Sequence, residues 1–222
     1  MKRSIICLAN SRKYYERCIA GKTPDTYEWI RPVSSRANEE LLLSQIKYAD
    51  GQEAGLLDVI EIDLKEEKPA QYQPENWLID EQAKWKKIGN FNPSQLDTIC
   101  DAPKTIWLVG NYNDRVPEEH WKGHNIKSSL YLIKPSSFYL RREDFDPSSG
   151  PTKKKIRGVF DYNGVQYDFR VTDVKIEAEY LKKAEGRYTL NCGDVYLCIS
   201  LSEPFEKMDN ACFKLIASVI GV

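Results

Sequence analysis

"KKKIRGVFDYNGVQYDFRVTD", Lys153 to Asp173, is the stretch on which the fold turns. Asn163-Gly164 stands between Phe160-Asp161-Tyr162 and Val165-Gln166-Tyr167, two runs rich in aromatic and β-branched residues. Asn and Gly tolerate the positive φ that a tight two-residue turn demands, so this pattern predicts an antiparallel hairpin. Working outward, "SLYLIKPSSFYLRRED" (129–144), "RYTLNCGDVYLCISLSEPF" (187–205) and "ACFKLIASVIG" (211–221) read as further strands, making five or six in this third of the chain. Ile176 to Lys183 reads as a single helix between them, and Asp146 to Lys155 as a loop rich in Pro, Ser and Gly with a basic end.

The first third is β as well. Ile5–Ala9, Cys18–Ala20, Glu28–Val33 and Leu56–Leu64 are short apolar runs. In "LLDVIEIDL" Val59, Glu61 and Asp63 alternate with Ile60, Ile62 and Leu64, the period of a half-buried strand. Asn38 to Gly51 carries helix formers and a Gly stop, which predicts a short helix. In the middle, Asp80 is placed to cap a helix through Ile88, and Asn92-Pro93 to start another that ends before Pro103. Thr105 to Gly110 reads as a buried strand, and 113–125 as a loop leading to a short helical turn. Strands do not alternate with long helices, so a doubly wound sheet is excluded. The expectation is a mainly β protein of two small barrels: residues 1–69, a mixed helical insert at 70–125, and residues 126–222.

The chain has 222 residues, 41% hydrophobic and 29% charged, enough for a core without staples. A net charge of -1 argues against a protein basic throughout, and leaves room for a local basic face. The 13 Tyr and 5 Trp suit sheet packing and also base stacking. The six cysteines, 7, 18, 100, 192, 198 and 212, form no C-x-x-C pair, and the start lacks a long apolar leader. Reduced thiols and a cytoplasmic location are expected, with no membrane segment.

Nine blocks, "ICLANSRK", "RCIAGK", "WIRPVS", "LLDVIEIDL", "QPENWLID", "NDRVPE", "SSLYLIKP", "YNGVQYDFRVTD" and "VYLCISLSEPF", occur in this order across nearly the whole chain. Together they resemble the bacterial dual OB domain-containing proteins. The resemblance implies two OB-like barrels and, by analogy with that fold, binding of nucleic acid or a nucleotide. It carries no catalytic residues over.

Three clusters are candidates for binding. Asn10, Ser11, Arg12 and Lys13 end the first strand, and Arg31, held extended by Pro32, would join them if the strands containing Ile5–Ala9 and Glu28–Val33 are neighbours. Guanidiniums, a hydroxyl and an amide around one point suit phosphate or carboxylate. The competing reading is a turn with salt bridges to Glu16, Glu28 or Asp58. Asn113, Asp114 and Arg115 follow an apolar run, where they would read a base edge or ribose, or simply close a turn on themselves; Ser128 and Ser129 would add hydroxyls. Lys134, Tyr139, Arg141, Arg142, Lys154 and Arg157 lie in the densest basic stretch, interleaved with aromatics as in single-strand binders. Phe138 and Tyr139 point to opposite faces, so one at most is a platform there. Glu143, Asp144 and Asp146 would instead make this an ordinary solvated region.

Other chemistry is weakly signalled. His120 and His124 have metal-pair spacing, but Gly123 weakens a helix there. Glu61 and Asp63 share one strand face, where solvation is the usual role. No Walker A, G-x-S-x-G or G-x-G-x-x-G occurs. The reading is a non-enzymatic module for single-stranded nucleic acid or a nucleotide-like ligand, with no cofactor and no metal. The alternatives are an enzyme on such substrates using the Asn113-Asp114-Arg115 group, or an adaptor that binds a protein partner.

Overall fold

The computed structural model describes residues 1–123, 126–145 and 153–222. Six strands form the first half: β1 (Lys2–Lys13), β2 (Glu16–Lys22), β3 (Trp29–Val33), β4 (Asp58–Glu67), β5 (Asn76–Ile79) and β6 (Lys86–Asn90). They pair in the order β1-β2-β3-β5-β4-β6, and β1 also pairs with β4, which closes a five-strand barrel. β3 and β5 run parallel, and the other pairings in the barrel are antiparallel. The alternation read in β4 is realised: Asp58, Ile60, Ile62 and Leu64 point inward and Val59, Glu61 and Asp63 outward.

A 3-10 turn at Pro93–Gln95 and α1 (Leu96–Ile99) follow. Asn92 caps this turn, its side chain accepting from the Ser94 N–H at 3.1 Å. Then come β7 (Arg115–Val116), α2 (Glu118–Trp121), β8 (Leu130–Ile133), β9 (Ser137–Phe145), β10 (Lys153–Tyr162), β11 (Val165–Val171), α3 (Val174–Tyr180), β12 (Gly186–Tyr188), β13 (Val195–Phe205) and β14 (Ala211–Gly221). The β10–β11 turn is Asn163-Gly164, both at positive φ, as the hairpin reading requires.

The second sheet runs β12-β9-β10-β11-β14-β13-β8, with β7 on β14. Its central path, β9-β10-β11-β14-β13, repeats the order β1-β2-β3-β5-β4 of the first half, down to a parallel third-to-fifth pairing, β11 with β14. The strand positions that close the first barrel are occupied differently here: β12 takes the edge of β9 and β8 that of β13. Leu140, Ile156, Phe160, Phe169, Leu197 and Ile216, from five strands, share one core, so the sheet wraps around it.

Several local expectations are overturned. Asn38 to Gly51 is not a helix. Leu41 instead forms a two-way backbone pairing with Arg17, and Leu41, Ile46 and Tyr48 enter the core of the first barrel. No helix runs from Asp80 to Ile88; β6 forms there on β4, with Trp85 buried in the barrel. Thr105 to Gly110 is not a strand, because Trp107 and Gly110 take positive φ and break the extended run. The first sheet also continues past residue 69, through β5 and β6. Glu61 bonds Lys2 at 2.8 Å on the solvated face. His124, Asp146 and most of the 146–155 loop lie outside the described residues, of which Lys153–Lys155 open β10.

The halves are welded together. The Arg12 N–H donates to the Thr172 carbonyl at 2.7 Å, and Gln73 Nε2 to the Leu201 carbonyl at 2.9 Å. One apolar cluster contains Ile6 and Leu8 of β1 with Leu132, Tyr196 and Ile220 of the second sheet.

Candidate anion-binding cleft

Between the halves lies a cleft of about 570 Å³. Its wall takes Ser11, Arg12 and Lys13 from β1, Arg31 from β3, Arg157 from β10, Arg170 from β11, Glu177 from α3, and Lys214 from β14. β1 and β3 are not neighbours, since β2 separates them. The barrel closure and the second half nonetheless bring Arg12 and Arg31 to the same space. Asp114 reaches it too, which joins the second predicted cluster to the first.

Six cations line the cleft, Arg12, Lys13, Arg31, Arg157, Arg170 and Lys214, against three carboxylates, Asp114, Glu177 and Glu203. Each carboxylate already has a cation. Arg12 Nε meets Glu177 at 2.7 Å, Lys13 pairs with Glu203, and Arg157 Nη2 meets Asp114 at 3.2 Å. Arg31, Arg170 and Lys214 have no carboxylate within 4.0 Å among the described residues.

Two of these three are buried. Arg31 is 3% exposed; its Nη2 donates to Ser129 Oγ at 2.7 Å and Ser200 Oγ at 3.2 Å, and its Nε has no partner. Lys214 is 0% exposed, and its Nζ donates to the carbonyl and side-chain oxygens of Asn111 at 2.8 and 3.0 Å. Burial pushes the Lys214 ammonium down to about 8, with Asp114 opposing the shift. A buried ammonium held only by the neutral oxygens of Asn111 is costly to the fold, so Lys214 points to a role outside folding. Lys214 shares the strand phase of Cys212 and Ile216, both buried, and that was the available sequence signal for it.

Sign and size follow for a Lys214→Met variant. The unfolded chain holds more protons than the native one between about pH 8 and the ordinary lysine value of 10.5. Wild-type stability therefore rises with pH across that window. The Met variant is expected to lose this rise and to be more stable by about 1–3 kcal/mol at neutral pH. Denaturant titration at several pH values measures both.

The remaining predicted residues divide. Asn10 and Ser11 are buried: Asn10 Nδ2 donates to the Ala54 carbonyl at 2.8 Å and faces the barrel, and Ser11 lines the cleft. Asn113 closes a turn by accepting from the Arg115 N–H at 2.9 Å, and Arg115 lies 5.6 Å from the Phe213 ring. Lys134 is not brought to the cleft; it bridges Asp97 at 3.2 Å and Asp194 at 2.8 Å. Arg142 is buried against Asp144 at 2.9 Å, while Lys154 is exposed. Arg141 and Tyr139 lie on the outer face of β9, and Phe138 packs against the core. Sequence reasoning missed Arg170, Lys214, Ser200 and Glu177. Exposed Tyr14 and Phe205 line the same cleft.

Among the described residues no group of three or more His, Cys, Asp or Glu is arranged to hold a metal, and no helix is long and apolar enough to cross a membrane. No curated protein matches the chain significantly. The family model of the dual OB-containing domain matches residues 3–219. With its closed barrel and a second sheet that repeats the same strand order, the chain belongs to the dual OB-containing domain family.

Proposed function

We propose that this protein is a binding module whose cleft takes the phosphate of a nucleotide or single-stranded nucleic acid. The observation that carries the reading is the charge imbalance of the cleft: among the described residues, three of its six cations have no carboxylate in direct contact, and two of those three are buried. A guanidinium with free donors and a desolvated ammonium together match a phosphate group, which can accept from both. About 570 Å³ is the size of an ordinary small-ligand pocket. Tyr14 and Phe205 supply rings at its wall on which a base can stack.

Fluorescence anisotropy with labelled single-stranded DNA, single-stranded RNA and duplex, at about 50 and about 200 mM salt, tests this. Expected is binding of single strands that weakens with salt, is competed by a mononucleotide, and falls in Lys214→Met. Affinity is also expected to drop as pH rises through about 8, where Lys214 loses its charge. No binding of any strand or mononucleotide at low salt overturns the reading.

A further inference from the structure

Running outward from the cleft, the second sheet carries four arginines in register. Arg170 on β11 pairs with Arg157 on β10, Arg157 with Arg141 on β9, and Arg141 with Arg187 on β12. Directly opposed residues share a face, so the four guanidiniums form one row. Four strands spaced by ~4.8 Å make that row ~14 Å long. Arg170 and Arg157 line the cleft at one end, and Arg187 stands on the outermost strand at the other.

Like charges opposed across strands are unfavourable, and here they recur three times in succession. The acids offset them only in part. Asp168 meets Arg157 and Arg141, each at 2.5 Å, and Glu143 is shared between Arg141 and Lys155. Arg170 and Arg187 at the two ends have no carboxylate among the described residues. Tyr139 lies on this same face, two residues from Arg141, with the Arg187 guanidinium 5.1 Å from its ring. Phe145, 47% exposed, lies on the other side of Arg141, with the Lys155 ammonium 5.0 Å from its ring.

We propose that this row is a backbone track on which a single-stranded nucleic acid leaves the cleft and crosses β10, β9 and β12. It rests on the phosphate reading of the cleft and narrows the ligand to an oligonucleotide rather than a mononucleotide. Regular cations beside solvent-facing rings suit a chain that alternates phosphates with flat bases. A stacked strand carries one phosphate per ~3.4 Å, so the row holds at most about four.

The test compares oligonucleotides of about 2, 6 and 12 nucleotides, in DNA and RNA series, with inorganic phosphate and a mononucleotide as competitors that report on the cleft alone. The variants are Arg187→Glu and Arg141→Ala/Arg187→Ala. Both are expected to fold. Arg187 is exposed and makes no ion pair among the described residues, and without Arg141 the acids Asp168 and Glu143 keep Arg157 and Lys155. Affinity of the wild type should rise with length and then level off. The double variant should lose that gain, with a salt slope shallower by about 1.4, while mononucleotide competition is unchanged. Mononucleotide binding with no length dependence, or a length gain in both variants as large as the wild type's, overturns the track and leaves the cleft standing. Absence of binding by mononucleotide and oligonucleotide alike overturns both. An acidic peptide that displaces the oligonucleotide as well as an unlabelled strand of equal charge overturns the assignment of the row to nucleic acid. A stronger DNA or RNA series, with the length gain intact, supports it and names the strand.

Discussion

Arg31→Ala is expected to destabilise the protein by about 3–5 kcal/mol and to remove anion binding together with it. Arg31 sits in a relay between the halves. Its guanidinium donates to Ser129 and Ser200, and Ser129 Oγ in turn donates to Glu75 Oε2 at 2.8 Å. Glu75 also accepts from Ser128 Oγ at 2.8 Å and from the Ser129 N–H. Glu75 is 8% exposed, and no Lys or Arg among the described residues lies within salt-bridge distance of it. Its charge is balanced through the Ser129 hydroxyl, by Arg31. Truncating Arg31 leaves two buried hydroxyls without their donor and the buried Glu75 charge without the cation that balances it through Ser129, which is the large penalty of breaking a buried polar network from one side. Arg31→Lys keeps the charge and loses the planar fork, so it should fold better than the alanine variant and still bind anions more weakly than the wild type. Guanidinium titrations followed by tryptophan fluorescence report the stabilities. A loss below about 1 kcal/mol in Arg31→Ala would mean that the relay holds nothing together.

Gly21→Ala is expected to cost about 3 kcal/mol or more and to open the first barrel. Gly21 lies opposite Cys7 where β2 crosses β1 next to a bulge. A Cβ there falls 2.2 Å from the Ile6 carbonyl oxygen and 2.9 Å from its carbon. Both are backbone atoms of the strand that also pairs with β4, so relief requires moving a strand that closes the barrel. Gly89→Ala is the internal control, because its Cβ meets nothing nearer than Val59 Cβ at 4.0 Å. It should stay within about 0.5 kcal/mol of the wild type. Equal melting temperatures for the two variants would show that the β1–β2 approach is looser than its geometry.

Strand content was legible because its signals are local. Alternation in Asp58 to Leu64 and the Asn163-Gly164 turn each act within one hairpin or one sheet face. Helix signals failed where tertiary burial outweighed them. Leu41, Ile46 and Tyr48 gain more by plugging the barrel than by lying on a short helix, and the corresponding place in the second half, after β11, holds α3 instead.

The sequence by itself determined a mainly β chain, the position of its hairpins, and the basic residues at the end of β1. Tertiary structure alone decided which of those residues meet. Arg12, Arg31, Arg170 and Lys214 come from four strands spread from β1 to β14, and only the welding of the two halves puts them around one cleft. Arg31 and Arg170 each open the parallel pairing of their own half, a correspondence that appears only once both sheets are built. The register Arg170–Arg157–Arg141–Arg187 likewise exists only across strands. The physical reason is one of range: side-chain period is written along a strand, whereas charge balance depends on which strands lie within a few ångströms of one another.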